Sequence, residues 1–353
     1  MQLVAFGVQD QYLVGNPTIT YFKLVHKRHT NFACESILQT ATGQATDSGR
    51  QTFTISRNGD LLTKAVLQFK FPANGDPTAN DDVSTLVSKV ELEIGGQTID
   101  TLPAEWLKAW NDLTIDASKR DSTGYVVAHK LAAATAGFKF LELPFFFSKS
   151  PGLALPLIAL QYHEVKIVVT YGALHKATPS LYCTYAFLDS EERRRFAAQS
   201  HEYLIEQVQH QEHTLQGTSG NVRLVFNHPT KELIVTGACD DAGGFTSVWD
   251  SDPDEAMLLK LNGNDRESAR PASYYERMVP LMYHTRVPTG IACMPFALYP
   301  EQHQPSGTCN FSRIDNAELH LKSTATNSKV HVFALNYNVL KIVSGMGGLA
   351  YSN

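Results

Sequence analysis

The chain has 353 residues, above the roughly 250–300 that one hydrophobic core usually serves, so two domains are expected. At 43% hydrophobic and 18% charged it can bury sizeable cores, which excludes a disordered chain. A net charge of −5 supplies no basic field to release counterions from nucleic acid, so no direct nucleic-acid partner is expected.

The charged fraction falls below the about 25% of ordinary soluble domains, as expected where association removes surface from water. Cys34, Cys183, Cys239, Cys293 and Cys309 are widely spaced, odd in number and never form a C-x-x-C pair. That pattern predicts reduced thiols, buried as small apolar groups in a cytosol-like compartment. No charged region followed by an apolar core opens the chain, so no signal peptide is expected. The longest apolar run, Gly152 to Leu160, is about half of the roughly 18 residues that suggest a membrane span, and a soluble protein is expected.

In chain order, Asn16-Pro17 reads as a helix start, with Asn able to cap free N–H groups and Pro preset for the first helical position. Ile19, Phe22 and Val25 follow at helical spacing, an apolar face that so short a segment cannot bury alone. This arm must pack on the rest of the chain or on its neighbours. The tetrad His26-Lys27-Arg28-His29 is a small basic patch, better suited to anchoring the arm to a partner than to holding an anionic surface. From Arg50 the period becomes two. Arg50 to Ser56, Leu62 to Phe71, Val87 to Ile94, Phe138 to Phe147, Tyr162 to Tyr171 and Leu181 to Leu188 read as short strands. Asn58-Gly59-Asp60 and Gly95-Gly96 read as turns, and Pro72 to Asp82 as a loop. Pro103 to Trp110 is the best interior helix, with Pro at its first position. Asp189 or Ser190 can cap a second one, acidic in its first turn and rich in arginine after it, which reads as a solvated connector, with contact to a neighbouring subunit as the alternative.

The later half repeats this order. Val222 to Phe226 and Lys231 to Val235 stand where Leu62 to Phe71 stood, and Met257 to Gly263 echoes Val90 to Gly95. Met294-Pro295-Phe296 echoes Leu143-Pro144-Phe145, and Val330 to Ile342 takes the place of Leu181 to Leu188. Many short strands separated by turns, twice over, predict two tandem β-sandwiches.

Catalytic motifs are missing from the sequence. His210, Glu212 and His213 cluster without H-E-x-x-H spacing or a third clear ligand, so a solvated or core-edge cluster is expected. His163-Glu164 and His201-Glu202 put neighbouring side chains on opposite faces of any strand. No G-x-S-x-G, Walker or G-x-G-x-x-G pattern occurs. Gly345-Met346-Gly347-Gly348 is read as a flexible terminal hook. No catalytic, cofactor or metal site is therefore expected. Asn310-Phe311-Ser312 is an acceptable glycosylation sequon, expected to stay unmodified without a secretory signal.

Several stretches carry a family resemblance. Val4 to Asp10, Tyr12-Leu13-Val14-Gly15-Asn16-Pro17, Ile19 to Lys23 and Arg28 to Ala33 resemble the amino terminus of the major capsid proteins of nucleocytoplasmic large DNA viruses, the iridoviruses, phycodnaviruses and mimivirus relatives. Leu143 to Phe147 and Pro151 to Val165 are similar to the end of that family's first barrel, and Glu191 to Phe196 with His201 to Gln207 to its linker. Phe226 to Pro229, Lys231 to Leu233 and Gln304 to Asn316 resemble its second barrel, and Tyr337 to Asn353 its ending. The chain is shorter than typical members, which puts loop-borne receptor or glycan functions in doubt.

The resemblance implies an all-β protein: two tandem eight-stranded jelly-roll sandwiches with short helices in loops and an N-terminal arm. Expected boundaries are 1–28 for the arm, 29–190 for the first jelly roll, 191–200 for a linker and 201–353 for the second with its tail. It implies a structural, non-enzymatic protein without cofactors, located in the virion capsid after assembly in the host cytoplasm. Expected partners are two further copies in a homotrimer, neighbouring capsomers, penton and minor capsid proteins, and the inner viral membrane side. Tyr12, Asn16, Pro17, Phe22, Lys27 and Arg28 are the expected assembly residues of the arm. The rival reading is a jelly-roll carbohydrate-binding or cupin-like protein, which needs His and Glu side chains converging inside one barrel.

Overall fold

The computed structural model describes residues 4–72, 86–116, 118, 137–174, 176–237, 245, 257–323 and 328–352. Contacts divide the chain into two units, Met1–Phe32 and Ala33–Asn353. In the first, a 3-10 turn at Val8–Asp10 runs into a short α-helix, Gln11–Val14, and buries no side chain. The helix expected to start at Asn16 does not form. Asn16 has φ 50°, a left-handed conformation that ends a helix, and its following proline sterically disfavours the right-handed one. Ile19, Phe22 and Val25 consequently lie outside any helix.

The second unit is a double jelly roll. Its first half contributes eight principal strands: β1 (Phe32–Leu38), β2 (Arg50–Thr54), β3 (Leu61–Phe71), β4 (Val87–Ile94), β5 (Gln97–Pro103), β6 (Gly137–Glu142), β7 (Val165–Tyr171) and β8 (Thr178–Leu188). The later half contributes β9 (His201–Thr214), β10 (Ser219–Leu224), β11 (Pro229–Gly237), β12 (Met257–Leu261), β13 (Asn264–Asp265), β14 (Ile291–Pro295), β15 (Ala317–Lys322) and β16 (Lys329–Val343). Early strands pair as β1-β8-β3-β6 and β2-β7-β4-β5; late strands as β9-β16-β11-β14 and β10-β15-β12-β13. Adding eight to each strand number converts one pair of sheets into the other. Among the described residues no ladder joins the two halves.

Local chemistry explains the strands. In β4 and β3 every second side chain is buried over most of the strand, the alternation that a two-faced sheet imposes. Three hairpins close through two residues with positive φ: Gly95-Gly96 (59° and 82°), Asn262-Gly263 (50° and 79°) and Ser344-Gly345 (53° and 81°). That double left-handed geometry matches the right-handed twist of the strands it joins. At Gly95 a Cβ would fall 2.2 Å from His163 Nδ1, so no other residue fits without rearrangement. The third hairpin corrects the expectation of a flexible tail: Met346–Leu349 is a strand paired with the end of β16. Its Gly345 carbonyl accepts from Tyr162 N at 3.0 Å. His163 Nδ1 accepts from Gly347 N at 3.2 Å, tying the chain end to the first sandwich.

Other boundaries move for identifiable reasons. Val222 to Leu224 belongs to β10, the counterpart of β2, whereas Lys231 to Val235 in β11 is the counterpart of β3. The apolar run Phe138 to Phe147 breaks after Glu142, because Pro144 has no N–H for a ladder, and Phe146–Lys149 forms a helical turn. Helix α1 (Ala104–Thr114) is capped by an extended Pro103 rather than starting with it. Helix α2 (Ser190–Ala198) joins the halves. Its cap Asp189 accepts from Glu191 N and Glu192 N, both at 3.0 Å. Arg193 Nε donates to buried Asp60 at 2.7 Å. The expected loop Pro72 to Asp82 lies outside the described residues after its first residue. Cys183 and Cys293 are buried and Cys309 half-buried, but Cys34 is exposed, because β1 leaves most of its side chains uncovered; Cys239 lies outside the described residues.

Candidate functional site: the seam between the two sandwiches

Most of the buried apolar side chains form one continuous cluster through both sandwiches. Helix α1 is central to it. Trp106 stacks on Trp110 with centroids 5.4 Å apart and meets Phe333 of β16 at 5.5 Å. Backbone contact continues the seam, Arg286 N donating to Leu113 O at 3.0 Å.

A polar lattice frames these rings. Asp100 on β5 accepts from Val208 N on β9 at 3.1 Å and from Thr101 N at 3.0 Å. Gln207 donates to Ile99 O and accepts from Asn338 Nδ2 at 2.9 Å. Glu206, 2% exposed at its side chain, meets Lys231 Nζ at 2.6 Å on its own sandwich and Lys149 Nζ from the first. Lys231 also donates to Gln302 O at 2.8 Å, and Lys149 stands 4.8 Å over the Trp110 ring. Burial works to raise the Glu206 pKa, but Lys149, His303 and Lys231 together hold its carboxyl well below the usual range. Asp100 has no such cations in contact, and burial pushes it up to about 7, against the Val208 hydrogen bond and the Lys149 charge.

These shifts have opposite signs for stability. A raised carboxyl pKa means that folding favours the protonated form, so Asp100 supports folding fully below about pH 4 and loses that contribution as pH rises through 7. Asp100→Asn keeps an acceptor for Val208 N without that loss. We expect its stability advantage over the parent to be small near pH 4 and to grow to a few kcal/mol above pH 7, read from denaturant midpoints across pH.

The sequence-expected arm residues behave alike. Tyr12, Asn16, Pro17, Phe22, Lys27 and Arg28 are all exposed within the first unit. The residues of the histidine cluster take separate partners. His210 Nε2 lies 3.0 Å from His331 Nδ1 and stacks on Phe333, whereas Glu212 pairs with Lys329 at 2.9 Å. His163 faces Gly347, while Glu164 lies 3.2 Å from Lys166. What sequence reasoning missed is the Lys149–Glu206–Lys231 group and a buried triad, Glu232, His284 and Cys293. Lys231-Glu232 in an apolar strand was the available signal, since paired charges on both faces of a buried strand require partners.

Known proteins place this architecture. Residues 20–189 match the family model described as the major capsid protein N-terminus. Residues 192–348 match the model for the large eukaryotic DNA virus major capsid protein. This chain belongs to that major capsid protein family. The major capsid protein of Pyramimonas orientalis virus is 43% identical over 406 aligned positions, covering 100% of this chain and 99% of its own. That of Paramecium bursaria Chlorella virus 1 is 39% identical over 432 positions, with the same coverage. Both alignments exceed the 353 residues here, so these relatives carry insertions that this major capsid protein lacks. The crystal structure of PBCV-1 VP54, fitted into a virophage reconstruction, superposes with TM-score 0.81 at 36% identity, over 95% of this chain and 100% of that one. The Faustovirus major capsid protein shares the fold, with TM-score 0.75 at 13% identity over 96% of this chain and 94% of that one. This major capsid protein has a structural role in the virion capsid.

Proposed function

We propose that three copies of this major capsid protein form a capsomer of nearly hexagonal outline that tiles an icosahedral shell. The observation that carries the reading is the identical strand order of the two halves. Three two-sandwich chains set six similar sandwiches around a threefold axis, imitating sixfold symmetry with a single gene product. Closure by threefold symmetry requires a head-to-tail interface, in which two different faces of each subunit match. It buries on the order of 2,000–5,000 Å² and is apolar at its centre. The working divisions are the arm 1–28, a first sandwich 29–190, a linker 191–200 and a second sandwich 201–353. The seam holds the two sandwiches of each subunit in one fixed relation, as a tile requires.

The arm makes the contacts between tiles. Tyr12 and Phe22 are 89% and 92% exposed, and apolar surface of that kind marks an interaction site. With Asn16, Pro17, Lys27 and Arg28 they engage neighbouring capsomers, penton and minor capsid proteins, or the inner membrane side. The role needs no catalysis, cofactor or nucleic acid. Family membership lends nothing to a carbohydrate-binding or cupin-like alternative.

Light scattering on the purified protein is expected to give a trimer, and a stable monomer at micromolar concentration overturns the proposal. Removal of residues 1–28 is expected to leave the trimer intact and abolish its assembly into larger arrays. Arrays that form equally well without the arm remove its role.

A further inference from the structure

The second sandwich buries a triad that the seam does not use. Glu232 lies on β11 and Cys293 on β14. Ile234 pairs with Cys293, and residues two apart on a strand point the same way, so Glu232 and Cys293 share a face of the sheet. His284, just after the helical turn Val279–Tyr283, reaches the same place. A carboxylate oxygen of Glu232, a ring nitrogen of His284 and the Cys293 sulfur lie within 4.8 Å of one another. The side chains of Glu232 and His284 are both 0% exposed.

Two features go beyond a buried ion pair. His284 Nδ1 lies 3.1 Å from Glu301 Oε1, and Glu301 is itself held by Thr285 N at 2.8 Å and Thr285 Oγ1 at 2.6 Å. A carboxylate fixed in this way accepts the hydrogen bond from Nδ1–H, so that Nε2, once its own proton is released, can bind an ion, the outer-shell arrangement of metal-bound imidazoles. Nε2 is the nitrogen that faces Glu232, at 2.7 Å. The second Glu232 oxygen, Oε2, is buried and has no hydrogen-bond partner among the described residues. An unfilled acceptor of that sort calls for an occupant.

We propose that Glu232, His284 and Cys293 bind one zinc-class divalent cation. A thiolate, an imidazole and a carboxylate suit zinc and its transition-metal neighbours, whereas calcium and magnesium take oxygen ligands. Glu232 supplies one oxygen to the ion, a role that the unpartnered Oε2 can take. Ligands 2.0–2.3 Å from a shared tetrahedral ion lie roughly 3.3–3.7 Å apart. The Glu232–His284 contact therefore opens by about 0.6 Å or more on binding. Binding releases the Cys293 thiol proton, and any proton on His284 Nε2, to solvent. The ion clamps β11, β14 and the segment between β13 and β14. With every ligand buried, it is captured as the chain folds.

Full-length protein expressed in zinc-supplemented medium and purified without chelator is expected to carry one zinc per chain by elemental analysis. Cys293→Ser should lose the zinc, while Cys34→Ser, altering an exposed thiol, should keep it. A chelator should lower the Tm of the parent and leave Cys293→Ser unchanged. Cobalt-grown protein should show a thiolate-to-cobalt charge-transfer band that Cys293→Ser lacks. Folded parent protein with only traces of metal overturns the proposal, as does Cys293→Ser retaining a full equivalent. If that variant does not fold, the metal content and chelator response of the parent decide by themselves.

Discussion

Glu206→Ala is expected to cost about 3–5 kcal/mol, the range for removing one partner of a buried ion pair. Lys231 is 0% exposed at its side chain and Lys149 16%, so truncation leaves two cations without the carboxylate that compensates them. The control is Glu142→Ala. Its pair with Lys64, at 3.0 Å, is about half exposed on both sides, and its loss should cost within about 1 kcal/mol. Denaturant unfolding of both variants makes the comparison, and equal losses would refute the special standing of Glu206. The pH response follows from the depressed Glu206 pKa. Its contribution is complete above the ordinary carboxylate range near pH 4 and is lost as pH falls further. With Asp100 acting in the opposite sense, the seam is most stable near pH 4 and weakens as pH rises towards 7.

Trp106→Ala is expected to cost about 3–5 kcal/mol, as large aromatic truncations in packed cores do. Trp106 is 1% exposed and touches rings from both sandwiches, so the loss falls on their mutual orientation as well as on the core. A double-mutant cycle with Phe333→Ala separates the two effects. A coupling of about 0.5–1.5 kcal/mol is expected for rings in contact. Strict additivity would mean that the two sandwiches do not communicate through this pair. The same substitution should also reduce trimer yield in the light-scattering measurement, since a tile needs its two halves at a fixed angle.

The strands were the most readable part of this protein because their signal is local. Val90, Leu92 and Ile94 alternate and then stop at Gly95-Gly96, and a two-residue period followed by two left-handed positions leaves few other structures open. Asp189 was equally legible, since a cap is decided by the residues immediately after it. The arm was misread because Ile19, Phe22 and Val25 have helical spacing, yet a segment that short gains too little from spacing alone. The tail was misread because Gly345 to Gly348 look permissive in isolation, while pairing with β16 and contact with Tyr162 and His163 fix them.

Lys149, Glu206 and Lys231 lie far apart in the chain and become one group only when the two sandwiches meet. Glu232, His284 and Cys293 come together only when the second sandwich closes, and no spacing rule would gather them. Sequence by itself determined the all-β class, the tandem repetition and the capsid-family likeness, since periodicity, turn residues and linear motifs are properties of neighbouring positions. Tertiary structure alone decided how the two sandwiches lock together and which charges are buried between them. Electrostatics and packing depend on distances through space, and those exist only after the strands have closed.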